Sequence, residues 1–153
     1  MSSTVTVNAK PVKIISYILM LVGLLMVVAG GTTWGLVSSQ LAEEKITVSA
    51  DAANFGGSAV TGPLQAYAQA DIIKHHSLEA TGGKTYAELD REDPLRATAM
   101  NGSFLRASLF TSVVAFGVAA FAIGVGLVLI LIGYAFTAIL PKKVDAPAVG
   151  ATV

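Results

Sequence analysis

Residues 107–141 have the sequence ASLFTSVVAFGVAAFAIGVGLVLILIGYAFTAILP, an apolar run without a charged side chain. Arg106 precedes the run and Lys142 follows it. About 20 such residues cross the hydrocarbon core of a bilayer, whereas a soluble helix that is apolar on all sides needs a large protein to bury it. Because lipid offers the backbone no hydrogen-bond partners, the run favours a helix despite its many valines and isoleucines. We therefore predict a transmembrane helix over residues 107–140.

The overall composition indicates a small integral membrane protein. Of the 153 residues, 54% are apolar and 13% are charged, whereas about 25% of residues are charged in ordinary soluble domains. Ten basic and ten acidic residues cancel, which leaves no basic field to recruit nucleic acid. Cysteine is absent, which excludes disulfides, thiolate metal sites, iron–sulfur ligation and a cysteine nucleophile.

A second charge-free run, residues 14–42, predicts a first transmembrane helix over 14–40. A cleaved secretory signal peptide is the alternative, because small residues at 37–39 follow a basic start and an apolar core. That core is longer than in a typical signal peptide, which favours the transmembrane interpretation. The predicted fold class is an all-α membrane protein, with two transmembrane helices in an antiparallel hairpin and a mostly helical extracytoplasmic loop domain.

The basic residues predict the orientation of the chain. Two lysines precede the first span and two follow the second; they are Lys10, Lys13, Lys142 and Lys143. Because cytoplasmic flanks are rich in lysine and arginine, the tails 1–13 and 141–153, the latter disordered, are expected in the cytoplasm. The acidic loop 41–106 is then periplasmic, in a multi-pass protein of the plasma (inner) membrane. Basic residues at the loop-side ends of both spans weaken this bias.

Loop 41–106 contains signals for short elements. Residues 45–48 (KITV) are mostly β-branched and favour one extended segment. Pro63 suits the first residue of a helix over 64–79, which the glycines at 82–83 would end.

The second half of the loop leads into the second span. Thr85 and Glu88 have the spacing of a capping box, which predicts a short helix over 86–92. Pro94 then restarts a helix that can run directly into the second span, with Gly102 as its weak point.

Small residues form faces on both predicted spans. They are Gly31 and Gly35 on the first, and Gly117, Ala120 and Gly124 on the second. Such faces let helix backbones approach closely in lipid, so they predict packing of the spans on each other or on a partner. The ordinary abundance of glycine in membrane helices is the alternative. Neither span contains a charged residue or histidine, which disfavours a transporter or proton channel.

Two adjacent histidines, His75 and His76, lie on the predicted loop helix. Asp71, His75 and Glu79 recur at intervals of four and would share one helix face, where they could hold a divalent cation or relay a proton. Adjacent histidines point about 100° apart on a helix, so the pair is poorly placed to bind one ion. Solvated histidines and contact with a partner are the alternatives.

Several stretches carry a resemblance to a known family. They are 46–49 (ITVS), 62–63 (GP) with 66–73 (AYAQADII), 81–89 (TGGKTYAEL) and 104–117 (FLRASLFTSVVAFG). Over about residues 14–140 the chain resembles actinobacterial two-span membrane proteins that are often labelled LigA-like aromatic ring-opening dioxygenases. It is also similar to the small accessory subunit found with the mycobacterial respiratory supercomplex of complex III and complex IV. The resemblance implies a structural or assembly role beside the cytochromes, on the periplasmic side.

The dioxygenase label implies a non-haem iron, typically held by two histidines and a carboxylate. Histidines that are neighbours in sequence do not suit such a site, and the loop is short for an enclosed pocket. We therefore expect no catalytic, cofactor-binding or metal-binding residues and no small-molecule substrate.

The leading hypothesis is a non-enzymatic accessory subunit of the cytochrome bcc and cytochrome oxidase supercomplex, in contact with membrane lipid and with respiratory cytochrome subunits. The candidate interface residues come from the small-residue faces and the loop; they are Gly31, Gly35, Gly117, Ala120, Gly124, Tyr67, Asp71, His75, Tyr86, Phe104 and Arg106. The alternatives are a metal-dependent, membrane-anchored dioxygenase-like enzyme and a free-standing envelope protein.

Overall fold

The computed structural model describes residues 9–140, and that part of the chain contains three helices. In chain order they are α1 (Ala9–Glu43), α2 (Pro63–Ala80) and α3 (Arg96–Ile139). The prediction of an all-helical protein with two long apolar helices is confirmed. Of the predicted tails, residues 1–8 and 141–153 lie outside the described residues.

Helices α1 and α3 are long and apolar enough to cross a membrane. They contain 35 and 44 residues, which corresponds to lengths of about 52 and 66 Å at about 1.5 Å per residue. Only 11% and 17% of their most apolar 18 residues are buried inside the chain. Most of the apolar surface of these two segments is therefore exposed within the chain.

Helix α1 extends beyond the predicted span 14–40 at both ends. It stops before Lys45, whose φ of 52° is left-handed and does not continue a helix. Residues 37–39, where a signal peptide would be cleaved, lie inside the helix. There the Ser38 hydroxyl donates a 2.6 Å hydrogen bond to the Thr61 carbonyl, which ties the helix to the loop.

The loop after α1 begins with a short antiparallel contact. Thr47 and Ala59 form an isolated bridge, so the extended segment predicted at 45–48 contributes a single bridge rather than a strand. Backbone hydrogen bonds of 2.9 Å lie on both sides of it. Between the two bridged segments, the chain reverses direction at two residues with left-handed backbone, Phe55 at φ 59° and Gly57 at φ 77°.

Helix α2 begins and ends within one residue of its predicted bounds. Pro63 is its first residue and follows an extended Gly62. At the other end Thr81 is 3% exposed, and its hydroxyl donates to the Ser77 carbonyl at 2.9 Å. The next two residues are glycines with φ of 64° and 84°, which end the helix as the sequence predicts.

The short helix predicted over 86–92 is wrong, because the segment forms turns. The capping contact itself exists: Glu88 Oε2 accepts the N–H and the hydroxyl of Thr85 at 2.8 and 2.7 Å. The Leu89 carbonyl accepts a 2.6 Å hydrogen bond from the Arg96 guanidinium. The capping hydrogen bonds thus stabilise a single turn, and no helix follows it.

Helix α3 begins at Arg96 and runs without a break through Gly102 into the apolar run, as predicted. Asp93 precedes it, and its carboxylate accepts the N–H of Leu95 at 2.9 Å. A side-chain acceptor at this position stabilises the unpaired N–H groups of the first turn.

The chain divides into two compact units. One, named the glycine-packed unit, combines Met1–Met26 with Val125–Val153 and is described over 9–26 and 125–140. The other, named the central unit, is Val27–Gly124. The central unit therefore contains the loop together with parts of both long helices.

In the glycine-packed unit, α1 and α3 are in contact through glycine. A Cβ added to Gly23 would collide with the carbonyl oxygen of Gly126, and one added to Gly133 would lie 2.7 Å from that of Ser16. Ser16 is fully buried and donates its hydroxyl to the carbonyl of Val12 at 2.7 Å. Because Gly23 and Gly133 have no side chain, the backbones of α1 and α3 can approach each other this closely.

The central unit contains the hydrophobic core. Phe116 is 1% exposed, and its ring meets Trp34 edge to face with 4.8 Å between centroids. At Gly30 an added Cβ would lie 2.7 Å from the Ala119 carbonyl oxygen. The core joins all three helices and the bridge; its buried members are Leu41, Val48, Val60, Ala66, Ala70, Leu109 and Phe116.

Candidate functional site

A groove of about 550 Å³ lies between α2 and the loop turn of residues 51–55. Gln69 fixes this turn to the helix, because its Oε1, on a side chain only 9% exposed, accepts the N–H of Ser49 at 2.9 Å. Three predicted interface residues line the groove together; they are Tyr67, Asp71 and His75. Their spacing of four residues places them on one face of α2.

The two histidines in the groove contact different carboxylates. His76 Nε2 lies 2.7 Å from Asp51 Oδ2, a hydrogen bond that joins α2 to the turn. His75 Nε2 lies 3.9 Å from Asp71 Oδ2, within ion-pair range but beyond a hydrogen bond. All four side chains are about half exposed or more, so solvent screens both contacts.

The hydrogen bond from His76 is the main reason why the pKa of the Asp51 carboxyl lies below its usual value. The backbone N–H of Asp51 lowers it further. A hydrogen bond to the charged form favours that form, so Asp51 is a carboxylate throughout the physiological range.

The groove does not fit the non-haem iron that the dioxygenase label implies. Within residues 9–140 no group of three or more histidine, cysteine, aspartate or glutamate side chains is arranged to hold a metal ion. His76 is hydrogen-bonded to Asp51, whereas His75 faces Asp71. Two histidines directed at separate carboxylates do not form the facial set of two histidines and one carboxylate.

The rim of the groove is apolar and exposed. Phe55, Leu64 and Tyr67 are 42%, 64% and 54% exposed. The Tyr67 ring packs edge to face on Phe110, with 5.8 Å between centroids, so its position is fixed while much of its surface stays free. Exposed apolar side chains that lie together beside polar groups are typical of a surface that binds a partner.

Tyr86 and Arg106, also predicted interface residues, lie together in a smaller cleft of about 80 Å³. Arg96 covers one face of the Tyr86 ring, with its guanidinium carbon 4.0 Å from the centroid. Phe104, at 73% exposed, lines neither the groove nor the cleft.

The predicted small-residue faces are open within the described chain. A Cβ added to Gly31, Gly35, Gly117 or Gly124 would meet nothing within 4 Å, and Ala120 is exposed. The contacts between α1 and α3 use other glycines, which recur at intervals of seven; they are Gly23 and Gly30 on α1, and Gly126 and Gly133 on α3. A contact of the predicted faces with a partner stays a prediction.

Sequence reasoning missed several residues that line these two sites; among them are Asp51, Phe55, Leu64, Lys74 and Lys84. Asp51 is 25 residues from His76, and no local pattern links them. The glycines in the helix contacts did have a signal, because residues seven apart return to nearly the same side of a helix.

The chain matches no protein-family model, no curated protein and no solved structure.

Proposed function

We propose that this protein is a non-catalytic subunit of a membrane complex. In this proposal α1 and α3 span the plasma membrane, and the central unit binds a partner protein on the periplasmic side. The observation that carries the proposal is exposed apolar surface: the long helices are largely unburied, and Leu64 and Tyr67 are more than half exposed beside the groove. Lipid would cover the helices, and a protein partner would cover the rim of the groove.

The open glycine faces support a further contact within the bilayer. Gly117 has space for a neighbour that no described residue fills, and the same holds for Gly31 on α1. Lipid tails fill such flat faces poorly, whereas another helix can approach them closely. A subunit with two spans and an extramembrane unit would thus bind its complex at two levels.

The partner we propose is the supercomplex of cytochrome bcc and cytochrome oxidase, and this choice rests on the family resemblance. The matched stretches 46–49, 66–73, 81–89 and 104–117 all fall in the central unit. Three of them contribute to the groove and the cleft, through Tyr67, Tyr86 and Arg106. An interface role for these sites accounts for the concentration of the resemblance there.

The proposed partnership is tested by purifying a tagged cytochrome subunit in mild detergent and measuring how much of this protein accompanies it. We expect near-stoichiometric recovery of the wild type. The double variant Leu64→Ser with Tyr67→Ser should be recovered at least about tenfold less, since buried aromatic anchors dominate interface energies. Glu79→Gln, in the same groove but not apolar, is the matched control. Absence of the wild-type protein from purified cytochrome complexes would refute the partnership.

The proposed orientation is tested with single cysteines, because the natural chain has none. Glu79→Cys should react with a membrane-impermeant maleimide in intact cells. Reaction only after the cells are permeabilised would place the central unit in the cytoplasm and contradict the orientation.

A further inference from the structure

The cleft that contains Arg106 brings together basic side chains from three segments of the central unit. Lys74 lies on α2, Lys84 on the turn after it and Arg106 on α3. Gly102 allows the two helices to meet here, because a Cβ at that position would lie 2.6 Å from the Ser77 hydroxyl oxygen. The fold therefore collects three positive charges around a space of about 80 Å³.

None of these three cations has a carboxylate oxygen within 4.0 Å among residues 9–140, where both ion pairs involve a histidine. Glu88 is close enough to Lys84 to feel its charge. Its carboxylate, however, accepts the N–H and hydroxyl of Thr85 at 2.8 and 2.7 Å. The positive charge of the cleft is therefore not neutralised by a direct contact.

Arg106 gives the clearest sign of a missing ligand. Its Nε is buried and has no hydrogen-bond partner in the described chain. The guanidinium carbon lies 5.4 Å from the centre of the Phe110 ring, which positions the group but satisfies no N–H. A buried charged donor without an acceptor is unfavourable, and a bound anion would supply the acceptor that Arg106 Nε lacks within the described chain.

We propose that this cleft binds a phosphate-type oxyanion. Guanidinium and ammonium groups form charge-assisted hydrogen bonds with phosphate oxygens, and the Ser77 and Ser103 hydroxyls in the lining are further donors. The volume is several times the minimum of about 10–15 Å³ for one water, yet far below the roughly 300 Å³ of typical organic-ligand pockets. It suits a single anionic group.

Two sources can supply this group: free phosphate or a lipid headgroup. Arg106 is the last charged residue before the apolar run, so in a membrane-spanning α3 the cleft would lie near the level of the headgroups. The lipid source depends on the proposed membrane insertion, whereas binding of free phosphate does not.

The proposal is tested on the full chain in a neutral detergent by measuring thermal unfolding during titration with inorganic phosphate, at ionic strength held constant with sodium chloride. A parallel titration uses phosphatidylglycerol, with diacylglycerol as the phosphate-free lipid control. We expect a saturable rise in Tm with at least one phosphate compound and none with diacylglycerol. Displacement of phosphatidylglycerol by phosphate at millimolar levels indicates the free ion as the source, and failure to displace it indicates the lipid.

Variants connect the binding to the cleft. Arg106→Gln should weaken the apparent affinity at least about tenfold, the scale of one charged hydrogen bond. The double variant Lys74→Gln with Lys84→Gln changes only exposed side chains, so its folding should be unaffected. It should also weaken the apparent affinity, and it replaces Arg106→Gln in the test if that variant does not fold. Arg91→Gln removes an exposed charge outside the cleft and should bind like the wild type. No saturable response to either phosphate compound, or an equal loss in Arg91→Gln, overturns the proposal.

Discussion

The glycine-packed unit and the central unit contain parts of the same two helices but bury different amounts of side chain. In the former, α1 and α3 meet at glycines and a buried serine, and their large apolar residues, such as Leu21 and Leu131, stay exposed. In the latter, Phe116 and other large side chains are enclosed by a loop and a third helix. Similar apolar sequences therefore give a glycine contact alone where only two helices are present, and a glycine contact together with a side-chain core where the loop adds a further layer.

The largest effect should come from emptying the core of the central unit. Phe116→Ala should lower the free energy of unfolding by about 3–5 kcal/mol, since it removes a buried ring and leaves a cavity. Trp34 is the only tryptophan and contacts Phe116, so its fluorescence reports unfolding in a denaturant titration in micelles. Phe121→Ala, at a 71% exposed position of the same helix, should change stability by less than about 1 kcal/mol. If both variants lowered the free energy of unfolding equally, the assignment of Phe116 to the core and Phe121 to the surface would be wrong.

The glycine-packed unit should instead be sensitive to added atoms. Gly133→Leu forces a side chain against the Ser16 carbonyl and should destabilise the helix contact by about 1–3 kcal/mol. Gly124→Leu, at an open position, should be neutral or slightly stabilising because leucine favours helix more than glycine does. Thermal unfolding followed by circular dichroism in detergent compares the two. A neutral Gly133→Leu would show that close approach of the backbones is not required.

A smaller effect should follow loss of the buried hydroxyl at the end of α2. Thr81→Val removes a hydroxyl that lies 2.9 Å from the Ser77 carbonyl oxygen and 2.5 Å from that of Lys84, and with it a hydrogen bond worth about 1 kcal/mol. The Gly83 N–H, bonded to the Leu78 carbonyl at 2.7 Å, should then exchange about fivefold faster with solvent. Thr85→Val, which removes an exposed hydroxyl, is the matched control. An unchanged rate at Gly83 in Thr81→Val would contradict this role.

The smallest effect concerns the exposed contact between Asp51 and His76. Because the pKa of Asp51 is lowered in the folded chain, the contact stabilises the turn above the usual aspartate value of 3.8 and is lost as the pH falls through the lowered pKa. His76→Ala should move the pKa of Asp51 upward toward 3.8, measured by carbon NMR titration of its carboxyl group. Glu88, whose pKa is lowered by Thr85 instead, is the internal control. An unchanged Asp51 would show that another group lowers its pKa.

The features that the sequence predicted correctly depend on nearby residues. The apolar runs define α1 and α3, and Pro63 with the glycines after Thr81 defines α2. The prediction over 86–92 failed: the segment forms turns, and its Leu89 carbonyl accepts a hydrogen bond from Arg96, a residue outside the segment. A capping box indicates a helix start but not the contacts that the segment makes with residues outside it.

The candidate sites were predictable only in part, for the same reason. Asp71, His75 and Glu79 were expected on one face because helical spacing decides it, and all three line the groove. The groove itself needs Asp51 from a separate turn, and the cleft needs Lys74, Lys84 and Arg106 from three segments. Both sites form only when separate segments of the central unit come together in the fold. The spacing of residues along the sequence therefore does not predict them.

The lengths of the long helices bear on bilayer thickness. The charge-free part of α3 after Arg106 continues to Ile139 and corresponds to about 50 Å of helix, against a hydrocarbon core of about 30 Å. A helix with such a positive hydrophobic mismatch tilts, thickens the lipid around it or keeps its excess length against protein. If α3 spans a membrane, the protein would therefore favour thick membrane regions or association with other subunits. Its distribution between membrane regions would then depend on the length of the lipid acyl chains.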